Sequence, residues 1–405
     1  MNRNYINRYL YDIVFDPVFG RQMRFITGPR QCGKTTIARQ KLGMEKSADF
    51  YFNWDSQEVK NLYRNNPSLL PKTGLKNKKW VCFDEIHKMP RWKNILKGIF
   101  DTREDEYNFI ITGSARLDAF RKSGDSLAGR YLQFRLNPVI LPELNGVKYE
   151  AITPEKNPED FVRKAADSKR ESRGSLELLL QHGGFPEPLL NGNAKFTKMW
   201  NDSYFDRVIR EDMRDLSAVH YLEKVVDLIK LLPGRVGSAL SVDTLAQDLE
   251  LNFRTVKNYI SHLSLNYLIF ELPPYTGNMK RMNKKAKKAY FYNYSVIEDE
   301  AAAFENFMAV ELKARVELWN CEGGEYGLYY IKNRGGSETD FLITSGKKPY
   351  LLVEAKLSGN KMDAHHMRFA EALGGIPVVQ AVKKSGVLRV TEDKYFIMSA
   401  DRFFA

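Results

Sequence analysis

The stretch from Gln22 to Thr36 constrains this chain more than any other. An apolar run, Met23 to Thr27, breaks into Gly28-Pro29-Arg30-Gln31-Cys32-Gly33-Lys34-Thr35-Thr36 and then into the helix-like Ile37-Ala38. Strand, glycine loop, Lys-Thr and helix, in that order, are what a phosphate-binding loop requires. The glycines let backbone N–H groups close around phosphate oxygens, and the helix start adds unpaired N–H groups and a positive dipole end. Residues 28–36 are therefore the expected contacts of a nucleoside triphosphate. Lys34 supplies a point charge for the β- and γ-phosphates, and the Thr35 hydroxyl is placed to hold Mg2+.

A second apolar run, Lys79 to Phe83, ends in the paired carboxylates Asp84 and Glu85. A strand ending in Asp-Glu is weak by itself, but after a phosphate loop it reads as the metal-holding and water-activating pair. Asp84 is expected to hold Mg2+ through its water shell, and Glu85 to orient and polarise the attacking water. A third run, Tyr107 to Ser114, ends in small polar residues, of which Thr112 or Ser114 could sense the γ-phosphate. Ser126 to Arg130 precedes the alternating run Tyr131 to Arg135, and Arg130 could reach the triphosphate as an arginine finger or sensor. Such a finger acting between subunits would require a homo-oligomer. About five strands alternating with helices imply an α/β core: a parallel sheet, helices on both faces and the nucleotide at the strand C-termini.

With 405 residues the chain has room for two or three domains. At 43% hydrophobic and 28% charged it is ordinary globular material. The first ten residues have no apolar signal-peptide core and no apolar run approaches a membrane span, so a cytoplasmic protein without a membrane partner is expected. Three scattered cysteines, Cys32, Cys82 and Cys321, fit a reducing compartment and exclude a disulfide framework. The net charge of +12 makes a polyanionic partner worth seeking, provided the charge is localised.

Residues 1–20 carry Tyr5, Ile6, Tyr9, Leu10 and Ile13 at helical spacing, with Asp16-Pro17 as the stop. Residues 155–235 are mostly charged helical pattern, interrupted by a loop at His182 to Glu187, and resemble a helical lid. Ser241 to Glu250 and Phe253 to Leu263 read as two helices around a turn at Leu251-Asn252. Leu245, Leu249, Val256, Ile260 and Leu263 share the apolar face, with Arg254, Lys257, Asn258 and Ser261 outward. This is a helix-turn-helix pattern. Tyr267 to Leu272 and Ala289 to Tyr292 would be the strands of a wing, and the basic residues Lys280, Arg281, Lys284, Lys285, Lys287 and Lys288 lie between them. DNA is the partner this suggests, although the same fold also docks proteins. Further on, Ala303 to Leu312 is helical, and an Asp opening one strand (Asp340) precedes a Glu-x-Lys closing the next (Glu354, Lys356). Period two puts Glu354 and Lys356 on one face. Two carboxylates can hold Mg2+ and the lysine can polarise a water at a phosphodiester.

Taken together, these stretches resemble the prokaryotic AAA-like ATPases that carry a C-terminal domain similar to the PD-(D/E)xK restriction-endonuclease fold. The resemblance rests on residues 28–36, Asp84 to Lys88, Thr112 to Ser114, Ser126 to Arg130, Gly183 to Glu187, Glu305 to Phe307, and the Asp340 to Lys356 pair. It implies ATP and Mg2+ as cofactors. It also implies a metal site in the last domain to which Glu305, better matched than Glu311, contributes beside Asp340 and Glu354, with Asp340, Glu354 and Lys356 as its catalytic residues. Where such families show an acidic residue after the wing, this chain reads Tyr292-Asn293-Tyr294. The expected architecture is a P-loop ATPase core over 1–145, a helical lid over 146–235, a winged helix-turn-helix over 236–292 and a nuclease-like α/β domain over 293–405. The expected function is Mg2+-dependent ATP binding and hydrolysis, with nucleotide state controlling a DNA-binding and potentially DNA-cleaving C-terminal part. The alternative is a nucleotide-gated switch with an inactive docking domain.

Overall fold

The structure, a computed structural model, describes residues 5–404 except 68, 73, 75–76, 114–126, 169–171, 213–221 and 277–285. Ser114, Ser126, Lys280, Arg281, Lys284 and Lys285 therefore lie outside the described residues. The chain divides into two compact units, one formed by Leu10–Asn137 with Leu265–Tyr267, the other by residues up to Tyr9, Pro138–Ser264 and Leu268–Ala405. By contacts the division falls at 137, and residues 146–235, 236–264 and 268–405 lie in one unit.

In the first unit, five strands form a parallel sheet in the order β2-β3-β4-β1-β5: β1 Met23–Thr27, β2 Tyr51–Asn53, β3 Lys79–Asp84, β4 Tyr107–Thr112 and β5 Tyr131–Arg135. Parallel strands covered on both faces read as continuous apolar runs, and β1 is buried at every position. Met23, Phe25, Val81, Phe83, Phe100, Phe109 and Ile111 share one core cluster. The register sets Asp84 beside Thr112 and Asn53 beside Asp84, so the polar strand ends line up at one edge. The amphipathic N-terminal stretch is a shorter helix than expected, Tyr9–Val14, because Asp16 caps a separate turn at Pro17–Phe19 through the Val18 N–H.

After the short helix Leu141–Leu144, the second unit runs through helices Pro158–Asp167, Arg173–His182, Pro186–Asn191, Ala194–Arg207 and Leu222–Leu231. The expected loop at His182 to Glu187 is confined to three residues, since Gly183 ends one helix at φ 74° and Pro186 opens the next. Helices Val242–Asp248 and Phe253–Leu265 follow, each opened by a side-chain cap: Ser241 accepts from the Thr244 N–H, and Asn252 from the Thr255 N–H. Leu245, Leu249, Val256, Ile260 and Leu263 are buried, while Arg254, Lys257, Asn258 and Ser261 are exposed. An antiparallel pair comes next, β6 Ile269–Leu272 and β7 Lys288–Phe291.

The last part pairs the helix Glu300–Cys321 with a six-stranded mixed sheet in the order β12-β13-β11-β10-β9-β8. Its strands are β8 Tyr326–Lys332, β9 Glu338–Ser345, β10 Lys348–Lys356, β11 Val378–Val382, β12 Leu388–Thr391 and β13 Tyr395–Ser399. β8, β9 and β10 form an antiparallel meander, and helix Ala364–Ala372 supplies the crossover that parallel β11 needs. Asn293 is buried in an amide network, donating to Asn201 and accepting from the Ser295 hydroxyl, both at 2.8 Å. It joins the segment after β7 to helix Ala194–Arg207. Among the described residues no helix is long and apolar enough to cross a membrane.

Candidate functional site

The loop between β1 and helix Lys34–Met44 bends through left-handed positions at Gly28 (φ 135°), Gln31 (φ 59°) and Gly33 (φ 108°). Glycine at 28 is sterically required: a Cβ there would lie 2.2 Å from the Leu136 carbonyl oxygen. Gly33 caps the helix without any side-chain bond, so no capping side chain takes its first N–H groups. Lys34 is buried and lies back across the loop, its Nζ donating to the Gly28 carbonyl at 2.9 Å and the Pro29 carbonyl at 2.6 Å. Cys32 is buried within the loop, its Sγ 3.5 Å from the Leu136 carbonyl oxygen.

Asp84 ends β3 facing this loop. The Thr35 hydroxyl donates to its Oδ2 at 2.8 Å, Tyr51 donates to the same oxygen, and Thr112 donates to Oδ1. A hydroxyl and a carboxylate are the hard oxygen donors that Mg2+ takes, and Thr35 and Asp84 fit that ion. Glu85 follows at a left-handed φ of 55°, its N–H tied to the Thr112 carbonyl at 3.0 Å. Burial raises its carboxyl above the ordinary range against the pull of Lys34, with Asp84 adding to the rise. His87 Nε2 stands 3.5 Å from Glu85 Oε2. Tyr51 is the residue sequence reasoning missed, because that β2 neighbours β3 is decided only by sheet order.

Arg130 is not brought to this loop. It immediately precedes β5, whose first residue pairs with Met23 at the start of β1, and its carbonyl accepts the Met23 N–H. That is the opposite edge of the sheet, about 15 Å away along a five-residue strand. Its guanidinium grips Asp101 through two bonds of 2.7 and 3.1 Å. The arginine at the loop edge is Arg135, in register with Thr27.

In the second unit, the antiparallel register of β9 and β10 brings Asp340 and Glu354 together: the Asp340 N–H donates to Glu354 Oε2 at 3.2 Å and the Ala355 N–H to Asp340 Oδ2 at 3.1 Å. Lys356 Nζ lies 2.8 Å from Glu354 Oε1. Glu305, on helix Glu300–Cys321, joins them through Lys288, whose Nζ is 3.1 Å from Glu305 Oε1 and 3.2 Å from Asp340 Oδ1. The four expected residues do converge. The wing reading of Lys288 does not hold, because it is a buried member of this cluster rather than a surface cation, and Lys287 pairs with Glu271 at 3.2 Å. Glu338 (2.6 Å from Lys288) and the Tyr290 hydroxyl (2.7 Å from Glu305) complete it. Burial and Asp340 push the Glu354 carboxyl up to about 8, and burial lowers the neighbouring His366 imidazole to about 4. For Glu305, Asp340 and Glu354 a divalent ion does not fit as the chain stands, since an ammonium already sits between two of them.

Residues 20–145 match the family model of an AAA domain, and residues 173–301 match a domain family of unknown function, DUF8612. An uncharacterised protein of Methanocaldococcus jannaschii is 24% identical over 435 residues, covering 96% of this chain and 89% of that protein. An uncharacterised protein of Mycobacterium tuberculosis is 24% identical over 340 residues, covering 80% and 68%. Among solved structures, a Thermotoga maritima RuvB variant is 16% identical with a TM-score of 0.31, covering 66% of this chain and 90% of that one. The Aeropyrum pernix ORC1 protein in complex with DNA is 15% identical with a TM-score of 0.28, covering 76% and 92%. The family match over 20–145 falls on a parallel sheet with its loop at the strand C-termini, so this part of the chain is similar to an AAA domain in sequence and in layout.

Proposed function

We propose that the chain is a Mg2+-dependent ATPase whose nucleotide state controls how its second unit engages DNA. The observation that carries the first half is the Thr35–Asp84 contact at 2.8 Å beside a buried Lys34 that reaches only carbonyls. Phosphate oxygens would offer Lys34 a full negative charge in place of its two carbonyls. The N–H groups of residues 28–36 bind the phosphates from the loop side. Thr35 and Asp84 would hold the ion, which would supply neutralising charge to the phosphates. Glu85, raised by burial, orients the attacking water and accepts its proton. The DNA half rests on the exposed Arg254, Lys257, Asn258 and Ser261 of helix Phe253–Leu265, ahead of a two-stranded wing. A reducing cytoplasm and assembly into a homo-oligomer accompany this reading, with any arginine finger supplied by a neighbouring subunit.

The test is ATP turnover with Mg2+ and DNA binding with and without ATP, in the native protein and Lys34→Ala. Turnover is expected to fall at least about 100-fold in the variant, with the ATP effect on DNA lost. Unchanged DNA behaviour in Lys34→Ala would separate the two halves. A second reading, in which the nuclease-like domain docks a partner without cutting, is favoured by the lysine between Glu305 and Asp340.

A further inference from the structure

The carboxylates of the second unit already have a cation. Lys288 Nζ lies 2.6 Å from Glu338 Oε1, 3.1 Å from Glu305 Oε1 and 3.2 Å from Asp340 Oδ1, and its side chain is 1% exposed. An ammonium has three N–H donors, and three carboxylates face it. The Tyr330 ring stands 5.6 Å away, and the Tyr330 hydroxyl donates to the Ala286 carbonyl just before Lys288. Leu272 on one side and Ala239 on the other pair with the Lys288 backbone. The backbone from which the ammonium projects is thus fixed on both sides.

Most of the remaining oxygens have partners of their own. Asp340 Oδ2 accepts the Ala355 N–H, Glu354 Oε2 accepts the Asp340 N–H, and Glu354 Oε1 faces Lys356. Glu305 Oε2 lies against the Cβ-less Gly237 and is the oxygen of the four carboxyl groups with the most room. Four carboxyl groups (Glu305, Glu338, Asp340, Glu354) meet three ammonium groups (Lys288, Lys332, Lys356). Lys288 is the buried cation among them, shared by Glu305, Glu338 and Asp340.

We infer that Lys288 is the resident cation of this cluster, its ammonium standing where a divalent metal would sit between Glu305 and Asp340. The cluster is then a metal-free ion network that ties β7 to helix Glu300–Cys321 and β9. This deepens the docking reading of the second unit and does not depend on ATP turnover by the first.

The full chain, free of nucleotide, is titrated with Mn2+ and the free ion is followed by electron paramagnetic resonance. The native protein and Asp340→Asn are expected to take up the same amount. Lys288→Met, which keeps the length and removes the charge, is expected to gain about one ion per chain, lost again when Asp340→Asn is added. Lys288→Arg is expected to gain none. A tight Mn2+ in the native protein that Asp340→Asn removes overturns the inference, as does a folded Lys288→Met that gains none. So does Mn2+-dependent DNA cleavage by the native protein that Asp340→Ala abolishes. The native comparison stands even where Lys288→Met does not fold. ATP turnover, measured on the same samples, reports separately on the first unit.

Discussion

Asp84 and Asp340 are both strand-end aspartates beside a second carboxylate, and their surroundings differ by one atom type. The hydrogen bonds that Asp84 accepts come from the hydroxyls of Thr35, Tyr51 and Thr112, which hold its oxygens without neutralising them. Asp340 faces a buried ammonium at 3.2 Å. A carboxylate held by hydroxyls still attracts a divalent ion, whereas one paired with a lysine must first lose that partner. Glu85 is half of this logic, since burial gives it a raised carboxyl suited to accepting a proton. Glu85→Gln is expected to slow ATP hydrolysis about 100-fold while nucleotide affinity changes less than about threefold. Single-turnover kinetics beside nucleotide titration checks this, and a parallel loss of binding would count against the assigned role.

At the scale of elements, register does the positioning. Pairing of β3 with β4 sets Asp84 level with Thr112, and pairing of β9 with β10 sets Asp340 against Glu354. Helix Glu300–Cys321 is buried on nearly all sides, from Phe304 to Trp319, and carries Glu311 into the interior. The Leu141 N–H donates to Glu311 Oε1 at 2.6 Å. Burial pushes this carboxyl up to about 8, with Arg315 opposing and Glu143 adding to the rise. The unfolded carboxyl loses its proton near 4.5, so between about 4.5 and 8 the folded state holds the extra proton. Stability therefore falls as pH rises through that window and levels off above it. Glu311→Gln keeps an acceptor for Leu141 and removes the ionisation. It is expected to match the native protein near pH 4 and exceed it above pH 8, by on the order of a few kcal/mol. Urea unfolding midpoints at the two pH values decide it, and equal slopes against pH in both proteins would refute the assignment.

For the whole molecule, the net charge of +12 matters through where it stands. Lys288 and Lys356 are absorbed by carboxylates, Lys287 by Glu271, and the exposed Arg254 and Lys257 remain on one helix. If that helix meets phosphate, each substitution to Ala is expected to lower the salt slope of DNA binding by about one and weaken it uniformly across sequences. Fluorescence anisotropy at several salt concentrations measures the slope, and an unchanged slope would remove this helix from the interface. Much of the fold was legible: the phosphate loop, the strand ends at Asp84, Asp340 and Lys356, and the two capped helices around Asn252 all follow from local patterns. Tyr51, Lys288 and Asn293 were not, because each acts on residues far away in the chain. The strands after Lys356 went unread for lack of a chemical landmark. Arg130 is expected near the triphosphate because it adjoins the last core strand, yet strand direction puts it at the end away from the loop.

The sequence by itself determined where a phosphate-binding loop lies, between Gly28 and Thr36, since a loop of backbone N–H groups, a lysine and a helix start are contiguous requirements. Only the tertiary structure decided what the acidic residues do. Whether a carboxylate meets a hydroxyl or a lysine depends on which strands and helices pair, and a single buried ammonium outweighs any motif in settling whether a metal can enter.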